Sequence, residues 1–358
     1  MSRARTAAAA LAIAVGMLGT ACGDGPDAER RIALLLPESK TARYESHDRP
    51  AFVGRVAELC AECETLASNA GQSASRQQAQ AEAAITNGAA VLVLDPVDST
   101  SAAVIVRHAA EAGVPVITYD RLVLDAPVTF HITFDNERVG AMQAQALLDE
   151  IGDSDGVLVV LNGSPTDDNA AQFRRGANTV LAAADVEIGV EADIPDWSPD
   201  QAQEAMERAL TTLGRDRIAG VYAANDGIAA GAIAAMKAAG LDPLPPVTGQ
   251  DAELAAVRRV LVGEQHMTVY KAVRTQARVA AELAVGLVRD EEIPAGVRTT
   301  WVDNGYDRIP ALLLEPLLVT RETIAGTVVG DGFWSVEEVC DGLEPECATV
   351  GLAAGETP

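Results

Sequence analysis

The chain is predicted to be an α/β protein built as two doubly wound parallel-sheet lobes. Two observations lead there. Short continuous apolar runs of strand length alternate with segments of helical period, and polar loops rich in Asp, Asn and Arg follow those runs. Strands that are apolar on both faces belong to parallel sheets covered by helices on either side. The 358 residues, 48% of them hydrophobic, supply enough material for packed cores, and a composition near the globular average excludes disorder, collagen and a coiled-coil rod.

The elements read as follows. Ile32–Leu36 is a strand, Pro50–Cys60 a helix, Thr65–Ser68 a strand, and Arg76–Thr86 an Ala/Gln-rich helix with an exposed face. Ala90–Leu94 is a buried strand; helix Thr100–Ala112 leads to strand Val114–Thr118, and Val128–Phe134 is a further strand. The second series runs helix Val139–Ile151, strand Val157–Leu161, helix Ala170–Ala184, strand Glu187–Glu191 and helix Pro199–Leu213. It continues with strand Ile218–Ala223, helix Ile228–Ala239, strand Val247–Thr248 and helix Ala252–Val262. That is more strands than the usual sheet of roughly 4–6, hence the division into two lobes.

Charge and missing motifs exclude several functions. The formal net charge is −25, and Lys40, Lys237 and Lys271 are the only lysines. A nucleic-acid surface needs clustered Lys and Arg, so none is expected. No Gly-x-Gly-x-x-Gly follows a strand, and there is no Gly-Lys-Ser/Thr phosphate loop and no Gly-x-Ser-x-Gly elbow. His47, His108, His131 and His266 are scattered without metal-ligand spacing. Neither a cofactor nor a metal is expected.

The start of the chain is an address. Arg3 and Arg5 precede an Ala-rich apolar run over Thr6–Leu18 that is short for a membrane span, and Leu18-Gly19-Thr20-Ala21 precedes Cys22. Residues 1–21 resemble a lipoprotein signal, which implies lipidation of Cys22 and a short linker over 22–30; an ordinary secretory peptide is the alternative. Removing the signal takes away two arginines and no acid, so attachment to an anionic membrane would rest on acyl chains. With Cys22 lipidated, four of the five cysteines remain: Cys60, Cys63, Cys340 and Cys347, which allow three pairings. The local option, Cys60–Cys63 with Cys340–Cys347, closes short loops. A redox or zinc role for Cys60 and Cys63 ranks below it, since they end a helix whereas reactive pairs draw thiolate character from a helix start.

Ligands of open parallel sheets bind beyond the carboxyl ends of the strands, which directs attention to the polar loops. Tyr119-Asp120-Arg121, Thr133-Phe134-Asp135-Asn136, Gly163-Ser164-Pro165-Thr166-Asp167-Asp168-Asn169-Ala170, Ala224-Asn225-Asp226, Gly249-Gln250-Asp251-Ala252 and Met267-Thr268-Val269-Tyr270-Lys271 occur in that order. From about Arg31 to Trp334 this pattern resembles the bacterial xylose-binding proteins, periplasmic sugar receptors of ABC importers with a type I periplasmic-binding-protein fold. The resemblance implies a monosaccharide held by Arg43 and Tyr44 (where the family has Arg-Trp), Arg121, Asp167, Asn169, Trp197, Asn225, Asp251 and Lys271. Here the first loop is one residue longer than the family's, and Asp168 replaces an asparagine.

These residue types suit a sugar on their own terms. Each sugar hydroxyl is donor and acceptor, which planar Asp, Asn and Arg can meet two at a time, and aromatic faces suit its C–H surfaces. Each also has a plainer explanation: Asp226 and Asp251 as helix caps, with Asp251 able to serve both purposes, Arg121 as a surface ion pair, Trp197 as core and Tyr44 as a solvated loop residue.

The resemblance further implies a three-segment hinge, with crossings near Asp135–Asn136, Gly263–His266 and Asp303–Gly305. That places 31–134 with 267–301 in an N-terminal lobe and 135–266 with 302–334 in a C-terminal lobe, followed by an acidic tail over 335–358. Sugar binding would favour a closed form of a monomer recognised by an ABC permease. A sensor that presents its closed form to a membrane receptor is the alternative. A glycosidase using Asp167 and Asp251 is weaker, because Arg43, Arg121 and Lys271 are expected to keep carboxylates ionised. An intracellular repressor would need a basic helix-turn-helix before Ile32.

Overall fold

A computed structural model describes residues 30–294, 296–297 and 300–352. The signal segment, Cys22 and residues 353–358 of the tail lie outside them. The first half of the chain forms β1 (Arg30–Leu36), α1 (Arg49–Leu59), β2 (Cys63–Asn69), α2 (Ala74–Thr86), β3 (Ala89–Leu94), α3 (Ala103–Glu111), β4 (Val116–Tyr119) and β5 (Phe130–Phe134). Next come α4 (Asn136–Ile151), β6 (Val157–Asn162), α5 (Asp168–Leu181), β7 (Ile188–Asp193), α6 (Pro199–Leu213), β8 (Ile218–Ala223), α7 (Asp226–Ala238) and α8 (Leu254–Val262). The chain ends with β9 (Thr268–Tyr270), α9 (Val273–Val288), β10 (Thr300–Asp303), β11 (Arg308–Leu314), β12 (Leu317–Val319), α10 (Val336–Cys340) and α11 (Glu344–Thr349).

Two sheets carry these elements. The first has the order β10-β11-β5-β4-β3-β1-β2 and is parallel except for the β10–β11 pair. Its central strands β1 and β3 are buried almost throughout, which accounts for their unbroken apolar sequence. One face packs on α1 and α9 and the other on α2 and α3. The second sheet has the parallel order β7-β6-β8. It extends through the bridge Val221–Val247 and then through bonds from Val269 N to Gly249 O and from Asp251 N to Val269 O, with β12 antiparallel to β9 at the far edge.

These pairings place the lobe crossings differently from the sequence reading. β9 bonds to the second sheet, so Met267–Lys271 belongs there, and the chain returns to the first core only with α9. β11 pairs in parallel with β5, so the chain stays in the first lobe well past Asp303–Gly305 and leaves it between Leu314 and Leu317. A strand's lobe is fixed by the neighbour that takes its hydrogen bonds, which one sequence does not state. Several element starts also shift by two or three residues, among them those of α8 and β5. Helix α8 begins at Leu254 rather than Ala252, because Asp251 and Ala252 have φ of +94° and +49°. Strand β5 begins at Phe130, while Val128 packs beside it as part of the core.

Cys60 pairs with Cys63 across the end of α1 and the start of β2, and Cys340 pairs with Cys347 between α10 and α11. The described part of the tail packs on α8. Val339, Cys340, Cys347 and Leu352 are buried in one cluster with Val257, Val260 and Leu261 of α8, and Arg258 donates to the Asp341 carbonyl.

Helices α4 and α5 cross at a pair of glycines. A Cβ on Gly176 would lie 1.8 Å from the Glu137 carbonyl oxygen, and one on Gly140 would lie 1.9 Å from that of Phe173. Because Phe173 also reaches the cleft described below, this spacing positions the site. Gly176→Ala is expected to destabilise the protein by about 1–3 kcal/mol through overpacking, read as a lower urea midpoint at unchanged slope. An unchanged midpoint would mean that the two helices separate freely.

Candidate ligand-binding site

A narrow cavity of about 20 Å³ lies between the carboxyl ends of the two sheets. Thr41, Arg43 and Tyr44 reach it from the loop after β1, and Asp120 and Arg121 from the loop after β4. The second lobe contributes Asp167, Asn169 and Phe173 after β6, Trp197 after β7, Asn225 after β8, Gln250 and Asp251 after Val247–Thr248, and Lys271 after β9. All nine residues singled out in the sequence thus line one space. Thr41, Asp120, Phe173 and Gln250 were missed. Asp120 and Gln250 sit inside motifs already noted, and each directly precedes a chosen residue, so a signal for them existed. Nothing local marks Phe173 or Thr41.

A buried ionic lattice spans the cleft. Arg43 donates from Nε and Nη2 to Asp48 at 3.1 and 2.8 Å, and its Nη2 also lies 3.2 Å from Asp120 Oδ2. Across the cleft, Arg43 Nη1 is 3.7 Å from Asp251 Oδ1, and Lys271 Nζ is 3.1 Å from that same oxygen. Arg121 Nε pairs with Asp167 Oδ2 at 2.9 Å, again between lobes, with Asp95 3.7 Å behind it. Asn169 donates Nδ2 to the Asp120 carbonyl at 3.2 Å and accepts from Asn136 at 2.9 Å.

Two aromatic walls are held by this lattice. Tyr44 donates its hydroxyl to Asp120 Oδ2 at 3.2 Å, and the Arg43 and Arg121 guanidinium carbons lie 4.8 and 5.9 Å from its ring centroid. It is buried, so the solvated-loop reading falls. Trp197 donates Nε1 to Asp167 Oδ2 at 3.1 Å and meets Phe173 edge-on at 6.2 Å. Its ring covers Gly163 so closely that a Cβ there would lie 2.0 Å from it. Gly163 is therefore required by close approach.

The electrostatics follow from burial set against pairing. Burial alone would raise the Asp120 carboxyl, but Arg43, Lys271 and Arg121 together pull it well below the ordinary range. Asp167 behaves otherwise: burial raises it, and Arg121 only partly offsets this. Burial and the cations thus oppose each other at both carboxyls: pairing outweighs desolvation at Asp120, and desolvation outweighs pairing at Asp167.

The capping explanations also change. Asn225, not Asp226, caps α7, accepting from Ile228 N at 2.9 Å, and its Nδ2 is left without a hydrogen-bond partner among the described residues. Asp226 is buried and accepts from Gln265, Thr268 and Glu253 N, tying three segments together. Asp251 precedes Ala252 in a strained turn and does not cap α8, whose N-cap is Glu253. Asp167 does cap α5, accepting from Asn169 N. Among the described residues no group of His, Cys, Asp or Glu is arranged to hold a metal.

Glu253 is pushed up to about 8 by burial and then by Asp226 and Asp251, and Asp226 is itself raised to about 7. A carboxyl that titrates higher folded than unfolded takes up protons on folding. Its contribution is complete below the ordinary value of 4.5 and lost as pH rises through about 8. The urea midpoint is expected to fall between pH 5.5 and pH 8, and Glu253→Gln to shrink that fall. An equal fall in both proteins would refute the assignment to Glu253.

Comparison with known proteins places this geometry. The periplasmic binding protein domain matches residues 32–292. The chain is 36% identical over 315 residues to the D-xylose-binding periplasmic protein of Escherichia coli K12, covering 87% of this chain and 93% of that protein. It is 34% identical over 334 residues to the protein of the same name in Haemophilus influenzae, covering 92% of this chain and 98% of the relative. Among solved structures, a carbohydrate transporter solute-binding protein from Chloroflexus aurantiacus in complex with D-glucose aligns with a TM-score of 0.79 at 28% identity, covering 86% of this chain and 98% of that one. All three are binding proteins, not enzymes, so none of them supports the glycosidase alternative. The chain belongs to the periplasmic binding protein family.

Proposed function

We propose that this protein binds a neutral monosaccharide, with D-xylose the leading candidate, between its two lobes and hands it to an ABC importer. The observation that carries this reading is the make-up of the cleft: buried Arg, Asp, Asn and Lys side chains from both lobes converge on one cavity beside Tyr44 and Trp197. Its cations are already paired with carboxylates, so a net-charged ligand would meet little uncompensated charge, whereas hydroxyls can both donate and accept. Among the described residues Gln250 Oε1 has no hydrogen-bond partner, and Asp251 Oδ1 meets Arg43 and Lys271 only as ion pairs. The D-xylose-binding relatives of E. coli and H. influenzae favour D-xylose. The bound glucose of the Chloroflexus structure keeps hexoses in the test.

The mechanism follows from where the contacts fall. Arg43–Asp251 and Arg121–Asp167 join loops of different lobes, so a sugar bonded to these groups stabilises the closed arrangement over an open one, and the permease recognises that form. The protein acts as a monomer anchored outside the cytoplasm by lipid on Cys22. No helix of the described residues is long and apolar enough to cross a membrane.

Calorimetric titration across D-xylose, D-glucose, L-arabinose, D-ribose and D-galactose tests the ligand. Bonds to charged groups are worth about 1.5–3 kcal/mol each, and Asp167 also holds Arg121 and Trp197. Asp167→Ala is therefore expected to weaken binding at least about 100-fold, while Asp168→Ala, outside the cavity, leaves it within about threefold. Equal affinities in the two variants would sink the site as drawn. For the anchor, cells fed radioactive palmitate are expected to label the wild-type chain; label retained in Cys22→Ser would overturn lipidation at that residue.

A further inference from the structure

We infer that Phe333 and Trp334, which do not line the cavity, are positioning residues that hold three ligand-binding segments in register from outside it. The inference rests on the sugar-cleft reading above and names residues that reading does not use.

The contacts of this pair with His47, Tyr270 and Ala252 each fall one residue from a group of the cleft or its support. The His47 ring packs on Phe333 at 4.2 Å and edge-on against Trp334 at 4.8 Å. His47 directly precedes Asp48, the carboxylate that takes two bonds from Arg43. Phe333 packs on Tyr270 at 4.9 Å, and Tyr270 directly precedes Lys271. Trp334 donates Nε1 to the Ala252 carbonyl at 2.8 Å, and Ala252 directly follows Asp251. Arg43, Lys271 and Asp251 are the three groups that meet at Asp251 Oδ1. One dipeptide thus supports all three partners of that contact.

Backbone strain gives the support something to do. Asp251 and Ala252 both have positive φ, a conformation that non-glycine residues hold only when their surroundings impose it. The turn is tied on its inner side by Asp251 N to Val269 O at 2.9 Å and Ala252 N to Thr268 Oγ1 at 3.2 Å. The Trp334 bond ties its outer carbonyl. The pair also bridges the lobes, because His47 and Arg274 belong to the first and Phe333 and Trp334 to the second. Arg274 donates to the Gly332 carbonyl at 2.6 Å and to that of Phe333 at 3.3 Å, with its guanidinium carbon 5.5 Å from the Phe333 ring centroid. A closed cleft keeps these contacts, and an opened one strains or breaks them.

Trp334→Phe keeps a ring and removes only the donor; Phe333→Leu removes the stacking on His47 and Tyr270. In the unliganded protein, Trp334→Phe is expected to speed amide hydrogen exchange at Asp251 and Ala252 about tenfold, leaving β3 amides and the thermal midpoint (within about 2 °C) unchanged. Its affinity for D-xylose, or for whichever sugar of the panel the wild type binds, is expected to fall about tenfold, mostly through faster release. Phe333→Leu is expected to give the same loss with faster exchange at residues 47–49. Unchanged exchange at residues 251–252 in Trp334→Phe overturns the inference, as does a lower thermal midpoint with unaltered affinity. A wild-type protein that binds no sugar defeats the sugar-cleft reading instead, and the exchange measurement still decides the positioning role.

Discussion

The structure of the cleft depends on pairing buried charges across it. Arg43, Arg121 and Lys271 are each only a few per cent exposed, and an isolated ion at that depth costs far more than a fold can spare. Each is matched: Arg43 by Asp48 and Asp120, Arg121 by Asp167, and Lys271 by Asp251. Two of these cations find a partner on the opposite lobe, so charge compensation and lobe closure are one constraint. The same pairing makes the cavity polar yet nearly balanced, and such a surface suits a ligand that carries many hydroxyls and no charge.

Holding that lattice requires backbone in unfavourable regions. Asp120, Trp197 and Asp251 all have positive φ, and all three line the cavity. Strain of this kind costs on the order of 1–3 kcal/mol per residue and persists where the surroundings over-determine it. Here the surroundings are visible. Asp120 is fixed by its carbonyl accepting from Thr133 and Asn169, Trp197 lies flat on Gly163, and Asp251 is tied to β9 and, through Ala252, to Trp334. A preformed site loses less entropy when the ligand arrives.

The fold serves this end through its strand order. In both sheets the parallel strands direct their carboxyl ends toward the other lobe, so each loop that follows a strand delivers a polar side chain to the same space. The tight α4–α5 crossing at Gly140 and Gly176 brings Phe173 against Trp197, linking helix packing to the wall of the cavity. The carboxyl-terminal helices α10 and α11, stapled by Cys340–Cys347, pack on α8 and so fix the segment just before them, Phe333–Trp334, against the cleft's outer loops.

The sequence alone determined the α/β class and most elements as far as α8, and its resemblance to the xylose-binding proteins pointed to the nine residues that line the cavity. All of this is local: strands such as Val91–Leu94 are apolar enough to announce burial on both faces, and motifs such as Tyr119-Asp120-Arg121 sit immediately after them. Tertiary structure decided what depends on partners distant in the chain. Strand pairing moved Met267–Lys271 into the second lobe and kept β11 in the first, since a hydrogen-bonded neighbour is not written in either strand's own residues. It made Asp226 a buried tie rather than a cap, because Gln265 and Thr268 lie about 40 residues away along the chain. It also brought in Phe173 and Thr41, whose place in the cleft comes from a helix crossing and a loop path, and no periodicity or motif records either.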